Sequence, residues 1–378
     1  MKSKLPNTET SIFAIMSGLA NKHNAINLSQ GFPNFKVSQE LIDLINQNMN
    51  AGNNQYAPMP GVIELRIAIA NKIKKLYGLN LNPEEEITIT AGATQALFTA
   101  ITAFVGFGDE VIIFEPAYDS YAPAVKLNGG IPKYISLSKP NFKIDWSEVK
   151  DLINDKTKMI IINTPNNPGG FVFEMADMKL LEELTSDTEI VVISDEVYEH
   201  IIFDGFEHQS ALKFPDLYQR TIAVYSFGKT FHATGWKMGY VVTPKKLMTE
   251  FRKIHQFNVF CVNTPIQYAL ATYLKDENNY LSLPKFYQEK RDFFVSQISN
   301  SRFKVIPTHG TYFQVLDYST ISDMPEFEFA QWLTTEKGLA SIPVSSFYHD
   351  KKNQQLLRFA FPKEKDTLEK AAFILNRI

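Results

Sequence analysis

Short apolar runs recur along the first two-thirds of this chain, with helical stretches between them. No other feature constrains the fold as much. The runs are Ile87–Ala91, Glu110–Phe114, Lys133–Leu137, Met159–Asn163, Glu189–Ser194, Thr221–Tyr225 and Tyr240–Thr243. Helical spacing of apolar residues marks Ser38–Asn50, Val62–Tyr77, Gln95–Val105 and Met175–Thr185. Strands this short and this apolar are buried on both faces. Their alternation with helices predicts an α/β fold with a mostly parallel sheet covered on each side.

Past about residue 270 the texture changes. A charged helical stretch runs from Leu283 to Asn300, and short strands are predicted at Phe303–Ile306, Thr311–Leu316 and Leu356–Phe361. This pattern predicts a smaller α+β domain. The expected division is residues 1–40 as an N-terminal segment packing with the small domain, 41–272 as the large domain, and 273–378 as the small one. Residues 1–26 read as a short helix with polar flanks. The run Ile12–Ala20 is broken by Ser17 and Gly18, so it is amphipathic and not a signal peptide.

Composition narrows the functional classes. The 378 residues are 44% hydrophobic and 21% charged, as in an ordinary globular protein. A net charge of −3 gives no global basic field for nucleic acid or an anionic membrane. No stretch approaches the roughly 20 apolar residues of a membrane span. The single cysteine, Cys261, rules out an internal disulfide and fits a reducing compartment, so a cytoplasmic location is expected. The seven histidines show no metal-ligand spacing, and no metal is expected.

In open α/β sheets, ligands bind at the carboxyl ends of strands. Five of the predicted strands end in chemistry-bearing groups. Gly92, Ala93 and Thr94 form a tight turn before a helix, where backbone N–H groups face an anion. Tyr118 follows Glu115-Pro116, Asn167 lies in Asn-Pro-Gly, and Asp195 precedes Tyr198 by three residues. Lys229 lies in Ser226-Phe-Gly-Lys229, eight residues before Lys237. A lysine able to form an imine, beside a hydroxyl and a cation able to hold a phosphate, points to pyridoxal 5'-phosphate on Lys229. Each residue alone has a plainer reading. Lys229 could be solvated, Gly31 a turn glycine, Asp195 a helix cap, Tyr118 and Tyr198 core aromatics, and Arg358 a surface ion-pair residue. Five such strand ends together are hard to obtain from packing alone.

The stretches Ile26-Asn-Leu-Ser-Gln-Gly-Phe-Pro33, Asn54-Gln-Tyr-Ala-Pro58, Thr90-Ala-Gly-Ala-Thr94, Phe114-Glu-Pro-Ala-Tyr-Asp-Ser-Tyr121, Asn163-Thr-Pro-Asn-Asn-Pro168, Ser194-Asp-Glu-Val-Tyr-Glu-His200, Ser226-Phe-Gly-Lys229 with Gly235-Trp-Lys237, and Arg358-Phe-Ala-Phe361 carry a resemblance. The chain resembles the class I/II aminotransferases of PLP fold type I over essentially its whole length. Within them it is most similar to the methionine and kynurenine–oxoglutarate aminotransferases. The resemblance implies a seven-stranded sheet and pyridoxal 5'-phosphate bound covalently to Lys229. Asp195 would partner the pyridine nitrogen, Tyr198 and Asn167 the phenolic oxygen, and Tyr118 would stack on the ring. Ala93, Thr94, Ser226 and Lys237 would hold the phosphate. Tyr56 would reach that phosphate from the second subunit of a homodimer. Arg358, with Gly31 and Asn167, would grip the substrate carboxylate.

Many relatives have arginine where Lys237 stands. A lysine still supplies a point charge but loses the two-pronged geometry. No second arginine is in place for a side-chain carboxylate, which disfavours aspartate as donor. The expected donor is an apolar or aromatic L-amino acid, methionine-like or kynurenine, and the acceptor a 2-oxo acid. Phe13 and Phe32 are candidates for the side-chain pocket, and Trp236 is expected to pack in the core. Asn167-Pro168 and Glu115-Pro116 are expected to be cis. Two alternatives were weighed: a PLP-dependent C–S β-lyase on the same fold, and a non-enzymatic PLP-binding regulator. The regulator requires a DNA-binding domain ahead of Ile26, for which there is no room.

Overall fold

The central sheet has seven strands: β1 Ile87–Thr90, β2 Glu110–Glu115, β3 Ile131–Ser136, β4 Thr157–Asn163, β5 Val191–Asp195, β6 Thr221–Ser226 and β7 Gly239–Val242. Their spatial order is β1-β7-β6-β5-β4-β2-β3. All neighbouring pairs are parallel except those of β7, which runs antiparallel to both β6 and β1. The computed structural model describes residues 3–6 and 8–378; Met1, Lys2 and Asn7, within the predicted N-terminal segment, lie outside the described residues.

Side chains alternate between two cores. In β4, Met159 and Ile161 enter one apolar cluster, while Ile160 and Ile162 enter the other. In β2, Val111 and Ile113 point one way and Ile112 and Phe114 the other. Burial on both faces explains why these strands read as unbroken apolar runs.

The helices that position the site are α1 Ile12–Lys22, α2 Gln39–Asn50, α3 Ile63–Tyr77 and α4 Gly92–Phe104. Ser11 caps α1, its hydroxyl accepting from the Ala14 N–H at 3.3 Å. Ser38 sits at the N-cap of α2 without a side-chain cap bond. One expectation needs correction. Gly92-Ala93-Thr94 is not a turn preceding a helix but the first turn of α4, which starts three residues earlier than the periodicity indicated. Gly92 has φ +77°, so the chain enters the helix through a left-handed residue that apolar spacing does not reveal.

The C-terminal part builds a second sheet from β8 Lys304–Val305, β9 Phe313–Asp317, β10 Ile342–Pro343 and β11 Leu356–Ala360, in the order β10-β11-β9-β8. Neighbours in this sheet are antiparallel. The N-terminal segment returns to this part: Ile26–Asn27 pairs in parallel with Leu339–Ala340, and α1 packs on the helix Glu326–Lys337. Glu115-Pro116 and Asn167-Pro168 are cis, as are Lys139-Pro140 and Thr164-Pro165. Among the described residues, no helix is long and apolar enough to cross a membrane, and no group of three or more His, Cys, Asp or Glu is placed to hold a metal ion.

Candidate active site

Strand register brings the polar strand ends together. Asn163 and Asp195 are paired neighbours at the ends of β4 and β5, and Ser226 lies opposite Gly239 at the end of β6. The chain then turns directly into the short helix Phe227–Thr230, which carries Lys229. Ser226 caps this helix, its hydroxyl accepting from the Lys229 N–H at 3.3 Å. A cavity of about 160 Å³ opens over these ends. Lys229, Asp195, Tyr198, Tyr118 and Asn167 line it, as do Ala93, Thr94, Ser226 and Lys237.

One end of the cavity is built for an anion. The first amides of α4 face it, with the Ser226 hydroxyl and the Lys237 amine alongside. Two glycines set the backbone at this end. A Cβ on Gly239 would lie 2.6 Å from the Tyr225 carbonyl oxygen and 3.1 Å from the Ala93 nitrogen, so only glycine lets α4 dock here. The Lys237 Nζ sits 3.6 Å from where a Cβ on Gly92 would be. Lys237 itself is in the left-handed region at φ +55°, which turns it back towards α4.

The other end is acidic and aromatic. Asp195 is 3% exposed, and burial pushes its carboxyl up to about 6. Bonds from the Tyr121 hydroxyl to Oδ2 (2.6 Å) and from the Val197 N–H to Oδ1 (3.3 Å) partly offset that push. Asn163 joins two loops: its Nδ2 donates to the Asp195 carbonyl at 2.9 Å, and its Oδ1 accepts from the Asn167 N–H at 2.8 Å. The Tyr118 hydroxyl lies 3.3 Å from Thr94 Oγ1, and its ring stands edge-on to Tyr121. Tyr198 is buried, and burial raises its phenol well above the usual range. Lys229 Nζ donates to the Tyr312 hydroxyl at 2.9 Å.

A second cavity, about 220 Å³, adjoins the first and shares Tyr118, Asn167, Tyr198 and Lys229 with it. Gly31, Phe13, Phe32, Phe313 and Arg358 also line it, together with the polar Gln30 and Thr234. Arg358, on β11, is 1% exposed. Its Nη1 donates to Asn167 Oδ1 and its Nη2 to the Ser29 carbonyl, both at 2.8 Å, while its buried Nε has no partner. Burial lowers its pKa to about 10, so it stays charged at neutral pH. A buried guanidinium with an unsatisfied donor, stacked 3.9 Å from the Phe313 ring centroid, has the charge and the free donor to receive a carboxylate. Among the described residues lining this cavity, no other arginine occurs. The site therefore sets an amine between an anion-binding end, a buried acid, and an apolar chamber with one cation.

Every predicted site residue but one lines one of these cavities. Tyr56 lines neither; it is 83% exposed and packs edge-on against Phe260 at 5.6 Å. Phe13 and Phe32 line the apolar chamber, whereas Trp236 borders a separate small void beside Leu41 and Phe231. Sequence reasoning gave no role to Tyr121, Asn163 or Tyr312. Tyr121 lies three residues past Tyr118 in a stretch already singled out, and Asn163 ends a predicted strand; for these two a signal existed.

This arrangement of fold and site defines a class, and a family profile agrees with it: aminotransferase class I and II, matching residues 23–374. The chain belongs to that family and is an aminotransferase; the family as a whole depends on pyridoxal 5'-phosphate. It is 50% identical over 378 residues to the methionine aminotransferase of Escherichia coli (strain K12), covering 100% of this chain and 98% of that protein. A kynurenine–oxoglutarate transaminase of Dictyostelium discoideum is 35% identical, over 96% of this chain and 92% of that one. Among solved structures, Escherichia coli YbdL, for which a methionine aminotransferase function was identified, superposes with a TM-score of 0.98 at 49% identity. That match covers 100% of this chain and 99% of the other.

Proposed function

We propose that this aminotransferase binds pyridoxal 5'-phosphate at Lys229 and takes the amino group from an apolar L-amino acid, methionine-like, passing it to a 2-oxo acid. The observation that carries this reading is the junction of the two cavities at Lys229. The fit of the cofactor rests on donor chemistry. The α4 amides of Ala93 and Thr94, the Ser226 hydroxyl and the Lys237 amine suit a phosphate. Gly239 lets α4 dock beside β6, and Gly92 takes the left-handed φ of +77° that starts α4 there. The bound cofactor supplies an aldehyde that takes up the amino group and a ring that accepts the electron pair left at the substrate Cα.

The chain's own residues do the rest. Asp195, held by Tyr121, would keep a proton at the ring nitrogen. Tyr198 and Asn167 would donate to the phenolic oxygen, and Tyr118 would cover the ring face. Lys229 would bond the cofactor covalently and, once displaced, move the proton at the substrate Cα. Arg358, with Gly31 and Asn167, would fix the substrate carboxylate and so the direction of its Cα–H bond. Phe13, Phe32 and Phe313 offer apolar contact to the side chain, and the single arginine leaves a second carboxylate without a partner. That combination, with the likeness to a methionine aminotransferase, supports methionine over aspartate.

Tyr56 would act on the phosphate of a second subunit. Tyr56, Phe257 and Phe260 are all exposed in the single chain, which supports a homodimer. The same reading places the enzyme in the cytoplasm and divides the chain at residues 40 and 272. The test is a panel of L-amino acids scored for pyridoxamine phosphate formation, with ammonia and pyruvate measured in parallel. Methionine should lead the panel without ammonia release. Preference for aspartate would overturn the substrate assignment, and stoichiometric ammonia would favour β-elimination.

A further inference from the structure

Tyr312 is 83 positions from Lys229 in sequence, yet its hydroxyl is bonded to the Lys229 amine. It precedes β9, and its ring is fully buried. The ring stands edge-on to Tyr198, with centroids 5.1 Å apart, and 5.9 Å from Tyr287. Burial raises its phenol above the usual range, so the hydroxyl keeps its proton. A neutral phenol has one hydrogen to give and lone pairs to receive. Tyr312 gives the hydrogen to the Gly31 carbonyl at 2.5 Å and receives a Lys229 Nζ hydrogen at 2.9 Å.

Those two partners have different tasks. Lys229 carries the reactive amine. Gly31 is in the segment whose Ser29 carbonyl receives a bond from Arg358. One hydroxyl thus connects the amine to the strand of chain that frames the carboxylate grip. Gly31 has no slack to find another partner: a Cβ there would meet the Phe313 ring at 2.6 Å, so the segment is pressed against the Tyr312–Phe313 pair.

We infer that Tyr312 is a positioning residue whose hydroxyl holds the Lys229 amine whenever that amine is not bonded to the cofactor, and ties its placement to the Gly31 segment. The inference rests on the proposed role of Lys229. An amine freed by substrate can swing about the four rotatable bonds of its stem unless something receives it. A fixed acceptor keeps it beside the cavity junction, where the Cα proton must be moved. Mispositioning of a reacting group by about 1 Å costs up to about a hundredfold in rate.

The experiment compares wild type with Tyr312→Phe, which keeps the ring. In the cofactor-free protein, acylation of Lys229 by an N-hydroxysuccinimide ester is followed by mass spectrometry; the rate should change severalfold, because the amine has lost its partner. In the cofactor-loaded enzyme the visible band should persist. The kcat should fall about tenfold to a hundredfold with KM nearly unchanged, and the α-deuterium isotope effect should rise. Unchanged acylation and an unchanged isotope effect would overturn the inference, as would loss of the visible band in Tyr312→Phe alone. Absence of the band in wild type would instead sink the assignment of Lys229. Should the Phe variant fold poorly, 3,5-difluorotyrosine at position 312 keeps ring and hydroxyl while weakening the acceptor. It should move acylation and isotope effect the same way, and no movement there counts against the role.

Discussion

At the scale of single residues, the proposed chemistry turns on two groups held away from water, Arg358 and Asp195. Arg358 retains its charge although buried, because its lowered pKa of about 10 still lies well above neutral pH, and two of its nitrogens are bonded. Arg358→Ala should lower kcat/KM for amino acid and oxo acid alike by about 2–5 kcal/mol, the scale of removing one member of a buried charge pair. An unchanged ratio in steady-state kinetics would remove Arg358 from the site. Lys229→Ala should abolish both turnover and the visible band of the purified enzyme; a surviving band would move the covalent link elsewhere. Asp195 gives a prediction with a sign. Its folded-state pKa lies above its unfolded value, so the folded protein holds the proton longer. Its contribution to stability is therefore present below about pH 4 and lost as pH rises through about 6. In the cofactor-free protein, Asp195→Asn should raise stability at pH 7 by up to about 3 kcal/mol and leave it unchanged near pH 4. Thermal melts at the two pH values check this, and equal shifts at both would refute it.

At the scale of elements, the sheet was largely legible. All seven strands lie within two residues of the apolar runs, because burial on both faces keeps the inner strands apolar, although the edge strand β3 is partly exposed. β10 was not anticipated: Ile342–Pro343 is too short for any periodicity, and only its pairing with β11 makes it a strand. The start of α4 was misjudged because Gly92 reads as a turn residue. Tyr312 could not be found, since its partners lie 83 and 281 positions away along the chain. Such contacts belong to the tertiary structure and leave no local pattern. The docking of α4 on β7 depends on Gly239. Gly239→Ala should cost about 1–3 kcal/mol of stability through forced displacement of the β6 and α4 backbones. It should weaken pyridoxal 5'-phosphate binding more than methionine binding to the loaded enzyme. Fluorescence titration of the cofactor-free variant measures the first effect, and an unaltered Kd would show that the α4 amides do not hold the phosphate.

On the scale of the whole molecule, charge is buried behind the site as well as in it. Lys72 on α3 pairs with Glu199, one residue past Tyr198, and the Tyr77 and Tyr240 hydroxyls join them. Burial pushes Glu199 up, but Lys72, His200 and Tyr77 outweigh it and hold the carboxyl at about 2. Lys72→Met would leave that carboxylate unpaired and should destabilise the fold by about 3–5 kcal/mol, measured by urea unfolding. A loss below about 1 kcal/mol would mean the pair is solvated. Three histidines act together at low pH. Burial lowers His200 to about 3 and His232 and His255 to about 4. A base whose folded-state pKa is depressed lends stability above its unfolded value near 6.5, and that stability is lost as pH falls. The melting temperature of Asp195→Asn, in which the acid that burial raises to about 6 is absent although Glu115, Asp119 and Glu326 still oppose the histidines, should therefore drop below pH 6.5; a flat profile down to pH 4 would contradict it.

The pairing of Ile26–Asn27 with Leu339–Ala340, and the bond from Arg358 to Ser29, have a bearing on how the protein is made. The proposed carboxylate grip joins Ser29 with Arg358, 329 positions further along the chain. A nascent chain still threaded through the ribosome at Arg358 cannot own a working site, however well its large sheet has already assembled. On the reading proposed above, catalytic competence waits on a strand made long after the large sheet, which must find a segment made long before it.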